Sequence, residues 1–230
     1  MRALASLSKY QGRYDRWQQI VKSHQLTWST GTDQFNQQWI QNMIDGTGQI
    51  DEMLTWLRDA TARLPAPYCN ALLCNAMTGL RVEENYECMK LIRSDRQNYV
   101  MERGGLYLLL HYKHPEIFFR PTKKAFLSIV NKEGMQLLES AEPVNPNALR
   151  LAQNHRKLPC RTKWTRKIHN NVLKQAGLDS ELVDVLAGRV PVTVFQRHYL
   201  KSGLPLDKIA GAVGELWKII EPCIQTPKML

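Results

Sequence analysis

Residues 68–77, YCNALLCNAM, are apolar around almost the whole helical circumference, with Pro65 and Pro67 before them and Thr78 and Gly79 after. A helix without a polar face cannot lie at a surface, so this one belongs at the centre of a core. The prolines break the chain before it, and the Thr-Gly pair ends it. Elements of the fold that share this core then offer an inward face.

The rest of the chain supplies such faces. In residues 1–45, Leu4, Leu7, Tyr10, Tyr14, Trp17, Ile20 and Val21 recur mostly at threes and fours, which predicts short helices, with a loop near Trp28 to Asp33. Asp51 is placed to cap a helix running to about Leu64, and a further helix is expected over 83–91, just after Arg81. Residues 105–130 change character: LYLLLHY and IFFRPTKKAFLSIV are aromatic and aliphatic, bounded by Gly and Pro, and predict a β-hairpin or small antiparallel sheet. Helical patterns then cover 133–140, 147–156, 162–176, 181–187, 191–200 and 207–221, punctuated by Pro146, Gly177, Gly188 and Gly203. In the last helix Leu206, Ile209, Val213, Leu216 and Ile220 form one stripe, which can pack on its own core or dock on a neighbouring protomer. The expected fold class is mainly α with a small antiparallel β-sheet, an α+β architecture.

The 230 residues allow one domain of ordinary size, or one and a fragment of another. With 43% hydrophobic and 23% charged residues the chain can bury a core, which excludes disorder as its main state. No apolar run is long enough to span a membrane, and the first twenty residues lack the apolar centre of a secretory signal. Five cysteines are scattered without C-x-x-C pairs, the pattern of buried thiols in a reducing compartment, so a cytoplasmic location is expected.

The net charge of +10 is concentrated. Residues 151–200 carry +6 of it, and 150–167 (RLAQNHRKLPCRTKWTRK) hold seven Arg or Lys and no acid. A patch of that density points to a polyanion, and nucleic acid is the natural one. Four basic residues and a tyrosine stand where local structure can aim them. Arg81, in TGLRVEE, lies at the entry to a helix, where free amides already favour an anion and a guanidinium adds a bidentate grip on phosphate. Lys163 and Arg166 are three apart near the start of the helix KWTRKIHNNVLKQAG and project from one face. Arg189 follows Gly188 in LAGRVPVTVFQRHY, ten positions before Tyr199.

That ordered set resembles the catalytic domain of tyrosine recombinases: TGLR, a lysine on a β-hairpin, a basic residue three before an arginine, then GRVP-x-x-V and a tyrosine ten residues after the arginine. The likeness is greatest to integrases of archaeal viruses and plasmids and covers roughly residues 50–205. It implies a site-specific DNA recombinase acting through a 3′-phosphotyrosine intermediate. Tyr199 would be the nucleophile, Arg81 and Arg166 the clamp on the non-bridging oxygens, and Lys123 the acid for the leaving 5′-oxygen, with Lys124 the alternative. Lys163 stands where the family commonly has His, and Arg189 where it has His or Trp. Since Arg cannot deprotonate at working pH, Lys163, crowded by Arg166 and Lys167, is the candidate base toward Tyr199. Lys124, Arg156, Lys157, Arg161 and Lys167 are assigned to the DNA backbone.

The same resemblance implies no metal or cofactor, because the covalent link keeps the bond energy. It implies double-stranded attachment sites as partners and a homotetramer on DNA, with a monomer possible when free. Residues 1–48 resemble the C-terminal part, or remnant, of a helical core-binding domain, and 49–230 the catalytic domain with its C-terminal helix. Two other readings stay open: a type IB topoisomerase-like nicking-closing enzyme, which shares the chemistry, and a DNA-binding module without chemistry.

Overall fold

The computed structural model describes residues 2–26, 37, 40, 41, 49–120, 123–188 and 203–224. The chain divides into two compact units, Met1–Gly48 and Gln49–Leu230. In the first, α1 (Arg2–Tyr10) and α2 (Tyr14–Ser23) are the short helices that the spacing predicts, and Lys9 Nζ lies 4.6 Å from the Tyr14 ring centroid. Leu4, Leu7, Tyr10 and Ile20 of this pair are exposed. The loop expected near Trp28 lies outside the described residues.

The second unit is built around α4 (Ala66–Thr78), whose residues from Ala71 to Thr78 are all buried. Pro65 and Pro67 open it, and Gly79 closes it in the left-handed conformation at φ 68°. The helix is enclosed by α3 (Gln49–Arg63), α5 (Val82–Ser94), α8 (Lys132–Ser140), α10 (Lys163–Gln175), α12 (Leu206–Ile220) and strand β5 (Ser128–Val130). This is the shell that an all-apolar helix demands. Helix α3 begins at Gln49, so Asp51 sits in its first turn beside Glu52 and does not cap it; carboxylates there still meet the unpaired amides of the N-terminus.

Strands β1 (Val100–Arg103), β2 (Leu106–Leu109) and β5 form a three-stranded antiparallel sheet in the order β1-β2-β5. The first of these precedes the expected start at 105. It is a mostly exposed edge strand joined to β2 through Gly104–Gly105, so it carries no apolar alternation to betray it. Nor is the stretch 105–130 continuous sheet: a 3-10 turn (His111–Lys113) and helix α7 (Pro115–Phe118) interrupt it, the latter opened by a proline at its first position. A second hairpin pairs β3 (Phe119–Arg120) with β4 (Lys123–Lys124). The short α6 (Arg96–Tyr99), α9 (Pro146–His155) and α11 (Ser180–Leu186) complete the described elements, with a final 3-10 turn at Glu221–Cys223. The result is a mainly helical α+β fold.

Helix α12 resolves the two placements left open for its stripe. Ile209, Val213, Leu216 and Ile220 are buried in the chain's own core, against α4, α10 and β5. No described helix is long and apolar enough to cross a membrane. All five cysteines are free, and only Cys160 is exposed; burial pushes the Cys88 thiol up to about 12.

Candidate nucleic-acid active site

Arg81 is the capping residue just before α5. The Glu84 carboxylate, three residues into the helix and 1% exposed, turns back to accept the Arg81 backbone N–H at 3.0 Å and also pairs with its guanidinium. This is the carboxylate half of a capping box, and it fixes the direction of the arginine as well as the helix start. One carboxylate engages part of a fork that carries five donors. Glu84 was absent from the residues singled out in the sequence, although its spacing after a helix start was the available signal.

The preceding turn is pinned from below. Thr78 Oγ1 donates to the Cys74 carbonyl at 2.9 Å, with Asn85 Oδ1 at 3.2 Å, and accepts the Leu80 N–H at 3.4 Å. The Thr78 carbonyl accepts Ser128 Oγ at 2.7 Å. Since Ser128 spends its proton there, His111 Nε2, 2.9 Å away, must be the donor to Ser128 Oγ. Nδ1 of a neutral ring is then the acceptor for the Tyr99 hydroxyl at 2.5 Å. Burial pushes His111 down to about 3 and so keeps it in the neutral tautomer that this chain of bonds requires.

Helix α10 carries Lys163, Arg166 and Lys167. Lys163 is its exposed first residue, Lys167 is also exposed, and Arg166 is half-buried, donating through Nη2 to the Ala187 carbonyl. Two buried contacts register this helix against α4. Asn75 Nδ2 donates to Thr165 Oγ1 at 2.9 Å. His169 Nδ1, 3.1 Å from the Ala76 carbonyl, must be its donor, and burial pushes this ring down to about 4. Helix α10 also lies directly on Gly79: a Cβ there would come within 2.5 Å of His169 Cδ2. Gly79 is thus required both by its positive φ and by this approach.

On the β3–β4 hairpin, Lys123 is in register with Arg120 and Lys124 with Phe119. Lys124 is exposed, its ammonium 5.6 Å from the Phe119 ring centroid. Gly188, at φ 71°, packs so tightly on this hairpin that any Cβ would run into the Lys124 carbonyl. Contacts therefore close a circuit among the separate segments. Arg81 leads to Gly79 and His169 on α10; Arg166 reaches Ala187; Gly188 rests on β4; and Arg120 of β3 pairs with Glu83 of α5 at 3.8 Å. The α5 start, the lysine hairpin, Arg166 and the approach to position 189 share one locale. Arg189 and Tyr199 themselves lie outside the described residues.

The basic loop between α9 and α10 is arranged differently. One stripe of α3, at Glu52, Trp56, Asp59 and Arg63, holds it. Glu52 pairs with Arg161 at 2.8 Å, Trp56 Nε1 donates to the Pro159 carbonyl at 3.1 Å, and Arg63, paired with Asp59 at 3.0 Å, donates to the Arg156 carbonyl. The Arg161 guanidinium also lies 4.1 Å over the Trp164 ring, against which Trp56 stands edge-on at 5.8 Å. Arg156 and Lys157 are exposed on the loop, Lys157 in the left-handed region at φ 52°. So Arg161, assigned to DNA by sequence, is already engaged by a carboxylate and an aromatic face. Among the described residues no three His, Cys, Asp or Glu gather as a metal site. Compared with family models and with curated proteins, the chain matches none in sequence.

Proposed function

We propose that this protein is a site-specific DNA recombinase of the tyrosine type. The observation that carries the reading is the closed circuit of contacts joining the start of α5, the β3–β4 hairpin, α10 and the segment ending at Gly188. Those four places are the ones from which a phosphodiester would be gripped, its leaving oxygen protonated and its nucleophile delivered. Arg81 and Arg166 hold the non-bridging oxygens and offset the charge that builds up on phosphorus. The Tyr199 hydroxyl attacks phosphorus, forming a 3′-phosphotyrosyl bond; the 5′-oxygen departs and takes a proton from Lys123 or Lys124. Lys163, at the start of α10, is the candidate acceptor for the phenolic proton. Exchange of the free 5′-hydroxyl for one from a partner duplex, within a tetramer, completes recombination without external energy.

The test is a duplex carrying a nick next to the cleavage position, so that the released 5′ fragment diffuses away and any covalent adduct is trapped. The expected result is a protein-DNA adduct with the native chain and none with Tyr199→Phe. An adduct that persists in Tyr199→Phe overturns the assignment, and binding without any adduct reduces the protein to a DNA-binding module. Relaxation of supercoiled DNA without exchange between paired sites would identify a topoisomerase.

A further inference from the structure

We infer that Arg161, stacked on Trp164, is a preformed seat for a DNA phosphate, and that Glu52 is its gate, holding the guanidinium in the free protein and yielding it to the duplex. The inference rests on the DNA-binding part of the proposed function and adds to it a regulated contact outside the catalytic circuit.

Three observations carry it. First, the guanidinium is oriented before any ligand arrives: it lies 4.1 Å over the Trp164 ring, and that ring is braced by Trp56, which also ties down the Pro159 carbonyl. A stacked guanidinium keeps its N–H edges in a fixed plane, the geometry that phosphate recognition uses. Second, its carboxylate partner is a weak competitor. The Arg161 and Glu52 side chains are 40% and 61% exposed, and ion pairs in that setting contribute little and are screened by salt. A phosphate of a polyanion, whose binding also releases counterions, can displace such a partner. Third, Arg161 lies inside the acid-free 150–167 run, and Arg156, Lys157 and Lys163 of that run are exposed, so a polyanion that reaches Arg161 meets a strongly basic stretch of chain. Arg81 contrasts on the second point, since its partner Glu84 is buried and belongs to the helix cap.

The gate predicts a particular pattern of coupling. With a mixed-sequence duplex oligonucleotide and the full chain, Glu52→Gln should tighten binding by about two- to fivefold at low salt. Arg161→Ala should weaken it and lower the magnitude of the log-affinity versus log-salt slope by about 0.9. In the Arg161→Ala background the gain from Glu52→Gln should shrink to less than half. An equal gain in both backgrounds would mean that Glu52 merely repels DNA, and would overturn the gate. A loss of affinity with Glu52→Gln at unchanged thermal midpoint would also overturn it, since the carboxylate would then be needed to position Arg161. If the native chain itself shows no salt-dependent binding to the duplex, the DNA reading fails, whereas salt-dependent binding without the coupling defeats the gate alone.

Discussion

Two polar regions flank α4, and they hold their side chains by opposite means. Beneath the α5 start and along α10 the contacts are buried and almost all neutral: Thr78, Ser128, His111 and Tyr99 in one chain, Asn75 with Thr165 and His169 with Ala76 in others. Between α3 and the loop that joins α9 to α10 they are mostly exposed and charged, with Glu52 pairing Arg161 and, within α3, Asp59 pairing Arg63. Neutral hydrogen bonds can be buried at small cost when their partners are present, so they set position, although the Asn75 Oδ1 atom has no partner here. Charges stay near water, where pairing is cheap to make and to exchange. Positioning and display are thus assigned to different surfaces of the same helix bundle.

The contrast is open to attack from the buried side first, where effects should be largest. Gly188→Val forces a β-branched residue into φ 71° and against the Lys124 carbonyl, and should cost on the order of 3 kcal/mol in denaturant unfolding. An unchanged midpoint would mean that the hairpin does not rest on this residue. Acid should come next. His111 and His169 are held near about 3 and about 4, below the ordinary histidine value, so both are neutral when folded and take up protons on unfolding. Their contribution is complete above about pH 6.5 and is lost as pH falls toward the folded values, roughly 2 kcal/mol for the pair by about pH 5.5. Replacing His169 with Gln should flatten about half of that slope, and a slope that survives in full would assign the acid sensitivity elsewhere.

Smaller effects separate the two regions further. Asn75→Ala removes the donor to Thr165 and should cost about 1.5 kcal/mol, and it should also slow adduct formation, because Thr165 neighbours Arg166. Facing the loop, Trp56→Phe deletes the bond to the Pro159 carbonyl and trims the ring that stands against Trp164, and should cost about 1 kcal/mol of stability. Its effect on DNA affinity should nevertheless exceed that of Asn75→Ala. If the loop variant lost stability while keeping affinity, the division between positioning and display would not hold.

How much of this could be read from residue order depends on the range of the interaction. The central helix was legible because an all-apolar circumference, two prolines and a glycine are local facts, and each helix from 132 onward among the described residues begins and ends within about one residue of its expected bounds. Strand β1 was not, since an exposed edge strand of Val, Met, Glu and Arg has no periodicity, and its pairing depends on β2. Among the candidate site residues, Arg81 and Arg166 stood out by their places at helix starts, and Glu84 was within reach of the same logic. The partners that orient them were not: Ala187 is 21 residues from Arg166, and Ser128 is 50 from Thr78.

The residue sequence by itself determined that one helix would be central, that helices would dominate around a small sheet, and that positive charge would gather in 150–167, because periodicity, chain breakers and composition act over a few residues. Only the tertiary structure decided which arginines are displayed and which are held. The carboxylates that take Arg81 and Arg161 lie 3 and 109 residues away, one buried in a helix cap and one at the surface. Burial and distance in space, which residue order does not record, set how firmly each is kept.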